Sequence, residues 1–279
     1  TRTHDSLKIS NGKWCWFSQG IGGKSALDYL IKVEGYKFTE AVEILSNSNN
    51  VPVVKQNFKR EIPKKKLMLP PKNTDNKKII GYLMFRGINE EIINYCTRKN
   101  LLYEDEKHHN IIFVGYDSGG VARYGTIRGT KGYKFLNDVP GSDKHFSFFI
   151  PSKEKSDTVH IFESAIDLLS FATILKINGK TWRQNNLLSL AGIFLPKRDG
   201  QYMNIPKALD RYLAENKEIK KICLHLDNDE PGRAATKALI HKLKNKYLVE
   251  DHPPGFGKDV NDTLRTILKS NIKDREDTR

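Results

Sequence analysis

Residues 222–233, with the sequence ICLHLDNDEPGR, decide the fold of this chain. The apolar first half predicts a buried strand, which ends in two carboxylates, Asp227 and Asp229. Asp229 followed by Pro231 is typical of a helix N-terminus with an aspartate cap. Because ligands of open α/β sheets bind beyond the carboxyl ends of the strands, two interpretations remain. The carboxylates are either a turn with a helix cap or ligands for a Mg²⁺ ion that bridges to phosphates.

Two further acidic groups follow the same pattern. Residues 159–162 (VHIF) predict a second strand, which runs into Glu163, and apolar residues at helical spacing predict a helix directly after it. Asp167 lies one helical turn beyond Glu163. Asp259 and Asp262 stand in a loop rich in Pro and Gly that leads into the last predicted helix. Three acidic groups at strand or loop exits of one α/β segment favour a common site.

These groups resemble the Toprim domain, which is shared by bacterial-type primases, type IA and type II topoisomerases and some nucleases. The resemblance covers about residues 157–270 and implies an α/β fold, a Rossmann-like parallel sheet with helices on both faces. It also implies that Glu163, Asp227 and Asp229 are catalytic and that Mg²⁺ or Mn²⁺ is the cofactor. The implied metal ligands are Glu163, Asp227, Asp229, Asp259 and Asp262.

The resemblance extends upstream. Residues 82–88 are similar to the first helix and turn of a primase catalytic core, and residues 110–121 predict a β-hairpin with Asp-Ser-Gly-Gly at its turn. Topoisomerases lack this module, so it favours the primase-like Toprim proteins of plasmids and integrative elements. The residues expected to bind template or nucleotide are Arg86, Arg123, Arg128, Lys134, Arg233 and Lys258. For the last two, neutralising the nearby acids when no metal is bound is an equally open role.

Residues 1–46 resemble the back half of a primase zinc-binding module. A tetrahedral zinc site needs four Cys or His ligands, and His4 with Cys15 supplies two at most. We therefore predict that no zinc is bound. We expect three aromatic side chains to pack in place of the metal, namely Trp14, Trp16 and Phe17.

The predicted domain order has five parts. A small zinc-finger-like module without zinc at 1–46 precedes a flexible basic linker at 47–78, which is rich in Asn, Pro and Lys. A basic subdomain of mixed α+β structure (79–156), the Toprim domain (157–270) and a charged tail (271–279) follow. Because the chain begins at Thr1 and has no signal peptide, we expect a fragment of a longer protein.

The composition is basic. The chain of 279 residues has 47 Lys and Arg against 33 Asp and Glu, a formal net charge of +14. This balance favours a polyanionic partner, although a basic surface is also compatible with plain solubility. Three dispersed cysteines in apolar surroundings predict free buried thiols in a reducing, cytoplasmic protein. No apolar run approaches the roughly 18 residues of a membrane span, so no membrane partner is expected.

The resemblance implies a primase-like nucleotidyltransferase that makes short primers from nucleoside triphosphates on single-stranded DNA. The implied setting is DNA replication or transfer of a plasmid or other mobile element, with a helicase or relaxase as partner. Two alternatives stay open: a Toprim nuclease that uses the same acids with water, and a non-catalytic module that binds single-stranded DNA. The acids discriminate against the second, because carboxylates repel phosphate and a module that only binds has no need of them.

Overall fold

The computed structural model describes residues 6–47, 66–131, 135–190 and 204–276. The chain divides into two compact units, residues 1–61 and residues 62–279. The first unit is a three-stranded antiparallel sheet followed by two helices. Its elements are β1 (Leu7–Ser10), β2 (Lys13–Trp16), β3 (Ile21–Gly23), α1 (Ala26–Lys32) and α2 (Phe38–Asn47).

Trp14 is the aromatic centre of the first unit. Its ring meets that of Tyr29 edge to face, with 5.6 Å between centroids, and its Nε1 donates a hydrogen bond to the carbonyl of Ser25. Trp16 shares the strand face of Trp14 and is half-buried. Phe17, however, is 65% exposed, because it follows the end of β2 and begins a short 3₁₀ turn. The prediction that Phe17 packs in the interior is therefore wrong.

The second unit begins with two helices and a four-stranded antiparallel sheet in the order β4-β5-β6-β7. The predicted hairpin is confirmed as β5 and β6, and the Asp117 carboxylate accepts the backbone N–H groups of Gly119 and Val121 in its turn. These elements are α3 (Lys77–Phe85), α4 (Glu90–Arg98), β4 (Leu102–Glu104), β5 (Ile111–Tyr116), β6 (Ala122–Arg128) and β7 (Leu136–Asp138).

Residues 66–76 lie on this sheet and differ from the predicted linker, 47–78. The N–H of Met68 donates a hydrogen bond to the carbonyl of Pro140, and the N–H of Asn73 donates one to the carbonyl of Glu104. The hydroxyl of Tyr103 donates a hydrogen bond to the carbonyl of Pro70. These hydrogen bonds give the Pro-rich segment fixed partners, which local composition does not reveal. Residues 48–65 of the predicted linker lie outside the described part of the chain. Its two ends, residue 47 and residues 77–78, belong to α2 and α3.

A five-stranded sheet in the order β12-β11-β9-β10-β8 forms the rest of the second unit. Its strands are parallel except β8, which pairs antiparallel with β10. The strands are β8 (Phe149–Ile150), β9 (Thr158–Phe162), β10 (Asn186–Ser189), β11 (Lys221–His225) and β12 (Leu248–Asp251). The helices are α5 (Ala165–Ile177), α6 (Lys207–Glu215), α7 (Glu230–Leu243) and α8 (Val260–Glu276).

Helices cover both faces of this sheet, as predicted. Val159 and Ile161 of β9 pack with α6 and α7, whereas Phe162 packs with α5 and α8. The hydrophobic core that contains Phe162 also includes buried residues of α3 and α4. The predicted subdomains 79–156 and 157–270 therefore share one hydrophobic core. Helix α8 continues to Glu276 and therefore contains most of the predicted tail, 271–279.

Two simpler expectations can be compared directly with the structure. Cys96 and Cys223 are free and buried, but Cys15 is half-buried, so the prediction of buried thiols is wrong for Cys15. Among the described residues, no helix combines the length and apolar character that crossing a membrane requires.

Candidate active site

The acidic side chains meet at one edge of the parallel sheet. Strands β9 and β11 are neighbours, and their last residues, Phe162 and His225, lie side by side. Glu163 follows β9 immediately, and Asp227 follows β11 after one intervening residue. The carboxyl ends of parallel strands face the same edge, which brings both acids together as the sequence predicted.

The turn after β11 is tightly built. Asp229 caps α7 by accepting the N–H of Gly232 at 2.9 Å. A Cβ atom at Gly232 would lie 2.1 Å from the carbonyl oxygen of Asp227, so this position requires glycine. Arg233 donates from Nε to the carbonyl of Asp227 and from a terminal nitrogen to that of Leu226. The guanidinium thereby holds the backbone between β11 and α7.

Lys258 bridges the two aspartates of this turn. Its Nζ lies 2.9 Å from Oδ2 of Asp229 and 3.4 Å from Oδ2 of Asp227. The two carboxylates raise the pKa of the Lys258 ammonium above its ordinary value, first through the hydrogen bond that the ammonium donates to Asp229. Asp229 is thus both a helix cap and a member of the site, so its two interpretations from sequence are compatible.

Glu163 and Asp167 add buried negative charge. Burial raises the pKa of Glu163 to about 7, and repulsion from Asp227, Asp167 and Asp229 contributes. Burial also raises the pKa of Asp167 to about 7, with repulsion from Asp259 next. The hydroxyl of Ser164 donates to Asp167 at 2.6 Å and orients it. The positive charge near these carboxylates is therefore too small to offset their burial and mutual repulsion.

The donor set fits a hard divalent cation. Such ions take carboxylate oxygens as ligands, and Lys258 already places one positive charge between Asp227 and Asp229. A divalent ion there would offset the repulsion that raises the carboxyl pKa values. Glu163, Asp227, Asp229 and Asp259 are the residues that could hold it.

Asp259 and Asp262 have different hydrogen-bond partners in the structure. Asp259 accepts the N–H of Asp262 at 2.7 Å and thereby caps α8, and its charge contributes to the raised pKa of Asp167 and Asp227. Oδ2 of Asp262 instead accepts the N–H of Lys258 at 3.0 Å, within the loop. Asp262 therefore stabilises the loop that presents Lys258, and its metal-binding role stays a prediction.

Asn261 is a buried residue to which sequence reasoning gave no role. Its amide donates to the carbonyl of Arg86 and to the hydroxyl of Ser170, and its Oδ1 accepts Nε of Arg86. Its N–H donates to Asp167 at 3.4 Å. An amide side chain at the first turn of an amphipathic helix is the available sequence signal, but it does not identify the partners.

Two of the predicted basic residues surround the hydroxyl of Tyr82. Arg86 donates to it at 3.3 Å. Although burial alone raises the pKa of Tyr82, the Arg128 hydrogen bond and the charges of Arg128 and Arg86 outweigh it, and the net shift is downward. Arg128 also lines a cleft of about 330 Å³ whose other wall includes Glu163 and Ser164.

Two other predicted basic residues, Arg123 and Arg233, are paired with acids. Arg123 pairs with Asp117 at 2.6 Å in the hairpin and does not line the cleft. A terminal nitrogen of Arg233 pairs with Asp251 at 2.9 Å in addition to its backbone contacts, so its guanidinium is used internally. Lys134 lies outside the described residues.

A polar wall of the same cleft was not predicted. The hydroxyl of Tyr124 donates a hydrogen bond to Asp138 at 2.6 Å and accepts one from the hydroxyl of Thr126. Lys144 forms an ion pair with the other carboxylate oxygen of Asp138 at 2.8 Å. Tyr124, Thr126 and Arg128 alternate along β6 and so share a face. That alternation is a sequence signal, whereas the partner strand β7 is visible only in three dimensions.

Two family models and a relative match parts of this chain. Residues 81–154 match the model of a family described as a protein of unknown function (DUF3991), and residues 160–264 match a Toprim-like model. An uncharacterized protein of Bacillus anthracis is 27% identical over 256 residues, which cover 85% of this chain and 69% of that protein.

Two primases are among the solved structures that match this chain. The primase fragment of the bacteriophage T7 primase-helicase protein has a TM-score of 0.44 and 16% identity, over 68% of this chain and 71% of that one. The zinc-binding and RNA polymerase domains of the Aquifex aeolicus primase have a TM-score of 0.43 and 15% identity, over 96% of this chain and 74% of that one. The matched family model identifies residues 160–264 of this chain as a Toprim-like domain.

Proposed function

We propose that this chain is a primase-like nucleotidyltransferase that joins nucleotides into short primers on a single-stranded DNA template. The observation that carries the proposal is the convergence of Glu163, Asp227, Asp229 and Asp259 beside a cleft that also contains Arg128. Nucleotidyl transfer needs charge stabilisation at phosphate and little covalent chemistry, which suits clustered carboxylates beside a cleft that contains an arginine.

In the proposed reaction, a 3′-hydroxyl oxygen forms a bond to the α-phosphorus of a nucleoside triphosphate, and the bond to the β-phosphate oxygen breaks to release pyrophosphate. Mg²⁺ or Mn²⁺, held by Asp227, Asp229 and Asp259, would offset negative charge at the phosphates and lower the pKa of the hydroxyl. Glu163 would either join these ligands or accept the proton of the hydroxyl. Arg128 would bind phosphate in the cleft.

Lys258 has two roles in this proposal. Without a divalent ion its ammonium neutralises Asp227 and Asp229. When an ion occupies the carboxylates, the ammonium is released and can contact a phosphate of the nucleotide. More than half of the Lys258 side chain is exposed, so this movement meets little steric resistance.

Primer synthesis from labelled nucleoside triphosphates on single-stranded DNA tests the proposal, with Mg²⁺ or Mn²⁺ present. We expect synthesis by the full chain, and we expect Asp227→Asn with Asp229→Asn to abolish it. Glu230→Gln is the matched control, because Glu230 is an exposed acid at the first residue of α7 and shows no interaction with the acidic cluster.

Other outcomes would replace the proposal. Cleavage of the template without synthesis would identify a Toprim nuclease. Binding of single-stranded DNA that is independent of Asp227 and Asp229, with neither reaction, would identify a non-catalytic module. The proposed setting, plasmid or mobile-element replication in the cytoplasm with a helicase or relaxase, follows from the sequence resemblance described above.

A further inference from the structure

A second group of side chains that can ligate a metal lies on β11, on β12 and at the residue directly after β12. Cys223 and Glu250 are direct neighbours in the parallel register of these strands, and His252 lies two residues beyond Glu250. One ligand atom from each, the thiol sulfur, a carboxylate oxygen and a ring nitrogen, lies within 4.8 Å of the other two. This group shares no residue with the carboxylates of the candidate active site.

The geometry is close to that of a small coordination site. Zn²⁺ binds sulfur at about 2.3 Å and imidazole nitrogen at about 2.0 Å in tetrahedral sites, so ligand atoms there stand about 3.5 Å apart. Side-chain rotations that draw these atoms together by about 1 Å are therefore sufficient. Glu250 and His252 are partly exposed, at 36% and 46% of their side chains, which leaves an access path.

Neighbouring groups orient the ligands. The ring of His225 stacks on that of His252, with 5.2 Å between centroids, and hydrogen-bonds to His160 at 2.9 Å. The Glu250 carboxylate contacts Lys221 Nζ and His252 Nε2, each at 2.8 Å. Metal-ligating side chains in proteins are commonly oriented by such outer partners.

We propose that Cys223, Glu250 and His252 bind a divalent transition-metal ion of the Zn²⁺ class, with water as the fourth ligand. Thiolate and imidazole select such ions over Mg²⁺, which prefers oxygen ligands. On binding, the Cys223 thiol loses its proton to solvent and the ion replaces Lys221 and the His252 N–H as partner of Glu250. Thiolate and carboxylate charges then balance those of the ion.

The site is linked to the turn that carries Asp227. Asp251, between Glu250 and His252, accepts a hydrogen bond from the guanidinium of Arg233 at 2.9 Å. Nε of the same guanidinium donates a hydrogen bond to the carbonyl of Asp227 at 3.1 Å. An ion that fixes this end of β12 therefore stabilises the support of the candidate active site. The proposal revises the expectation of no zinc, which concerned ligand spacing in residues 1–46.

Cobalt substitution tests the proposal on the full chain after treatment with a chelator. Co²⁺ bound through a thiolate gives a sulfur-to-metal charge-transfer band in the near ultraviolet, which the carboxylates of the active site, with oxygen ligands alone, do not produce. We expect about one equivalent of Co²⁺ to produce the band and Zn²⁺ to displace it. Cys223→Ser and His252→Ala should each lose the band.

Cys15→Ser and His145→Ala are matched controls that should keep the band. His145 is likewise exposed and paired with a carboxylate, that of Asp143 at 2.6 Å. Since Cys223 is buried, its variant could fail to fold, but His252 is exposed and its variant keeps the test decisive. We also expect Zn²⁺ to raise the melting temperature of the wild type more than that of His252→Ala.

Three results would overturn the proposal: absence of a thiolate band, a band that survives His252→Ala, or a band that disappears with Cys15→Ser. None of them bears on primer synthesis. Conversely, failure of primer synthesis leaves the cobalt spectrum unaffected, so the two proposals fail independently.

Discussion

Arg86 and Asn261, 175 residues apart in the chain, exchange two hydrogen bonds. Nε of Arg86 donates to Oδ1 of Asn261 at 2.6 Å, and Nδ2 of Asn261 donates to the carbonyl of Arg86 at 2.9 Å. Asn261 also contacts Ser170 and Asp167, so one side chain joins the turn after α3, helix α5 and helix α8. These hydrogen bonds fix the turn that carries Arg86 relative to the helix that carries Asp167.

We expect Asn261→Leu to lower the free energy of unfolding by about 2–4 kcal/mol, because Nε and the carbonyl of Arg86 lose their hydrogen bonds to Asn261 and buried Ser170 loses one of its two. Urea unfolding measures this change. Asn271→Ala, an exposed position on the same helix, should change stability by less than about 0.5 kcal/mol. Equal effects of the two substitutions would show that the network around Asn261 contributes little.

The contribution of Glu163 and Asp167 to stability without divalent cations should fall as the pH rises from about 4.5 to 8. His160 and His225 contribute in the opposite sense up to about pH 6.5, because burial lowers their pKa values. The folded-state pKa values of Glu163 and Asp167 are both raised to about 7 from 4.5 and 3.8, so the folded state binds their protons more tightly than the unfolded state. The stabilisation that these protons give is complete below the unfolded values and is lost as the pH passes about 7.

Thermal unfolding in a chelator at several pH values measures this dependence. We expect the melting temperature of Glu163→Gln to rise relative to that of the wild type by several degrees over this range, because glutamine does not ionise, and Mg²⁺ at pH 8 to raise the melting temperature of the wild type. Identical pH profiles of wild type and Glu163→Gln would contradict the assignment.

Lys258→Met should lower the melting temperature more in chelator than in Mg²⁺. The ammonium compensates Asp227 and Asp229 when no ion is present, whereas a bound cation takes over that charge. Lys237→Met, at an exposed position of α7, is the control and should behave alike in both conditions. A Lys258→Met effect of the same size with and without Mg²⁺ would argue against a shared site.

Gly232→Ala should reduce primer synthesis at least about tenfold and lower the melting temperature by several degrees. The added Cβ would lie 2.1 Å from the Asp227 carbonyl, so the turn that carries both aspartates must shift. Gly255→Ala is the control, since its Cβ would have an ordinary contact of 3.9 Å with Thr263. Wild-type activity of Gly232→Ala would show that the turn tolerates displacement.

Arg128→Ala should raise the KM for nucleoside triphosphate about tenfold, the loss expected for one charge-assisted hydrogen bond to phosphate. Arg123→Ala should leave KM within about twofold, because Arg123 pairs with Asp117 away from the cleft. Steady-state kinetics of both variants decides this point, and the opposite order of effects would place the nucleotide at the hairpin.

The sequence by itself determined the units of the fold that depend on local patterns. Strand β11, the Asp229 cap and α7 were predictable because apolar runs, N-cap residues and Pro at a helix start act over a few residues. The same holds for β9, Glu163 and α5, and for the β5–β6 hairpin. The meeting of Glu163 with Asp227 followed from the rule that parallel strands share an edge.

Tertiary structure alone decided the other contacts between distant side chains. The bridge of Lys258, the Arg86–Asn261 exchange and the grouping of Cys223 with Glu250 and His252 depend on the register and packing of elements far apart in the chain. The docking of residues 66–76 and the exposure of Phe17 depend on neighbours of the same kind. Local periodicity fixes which face of an element is apolar, but only packing against other elements selects the partners of its polar side chains.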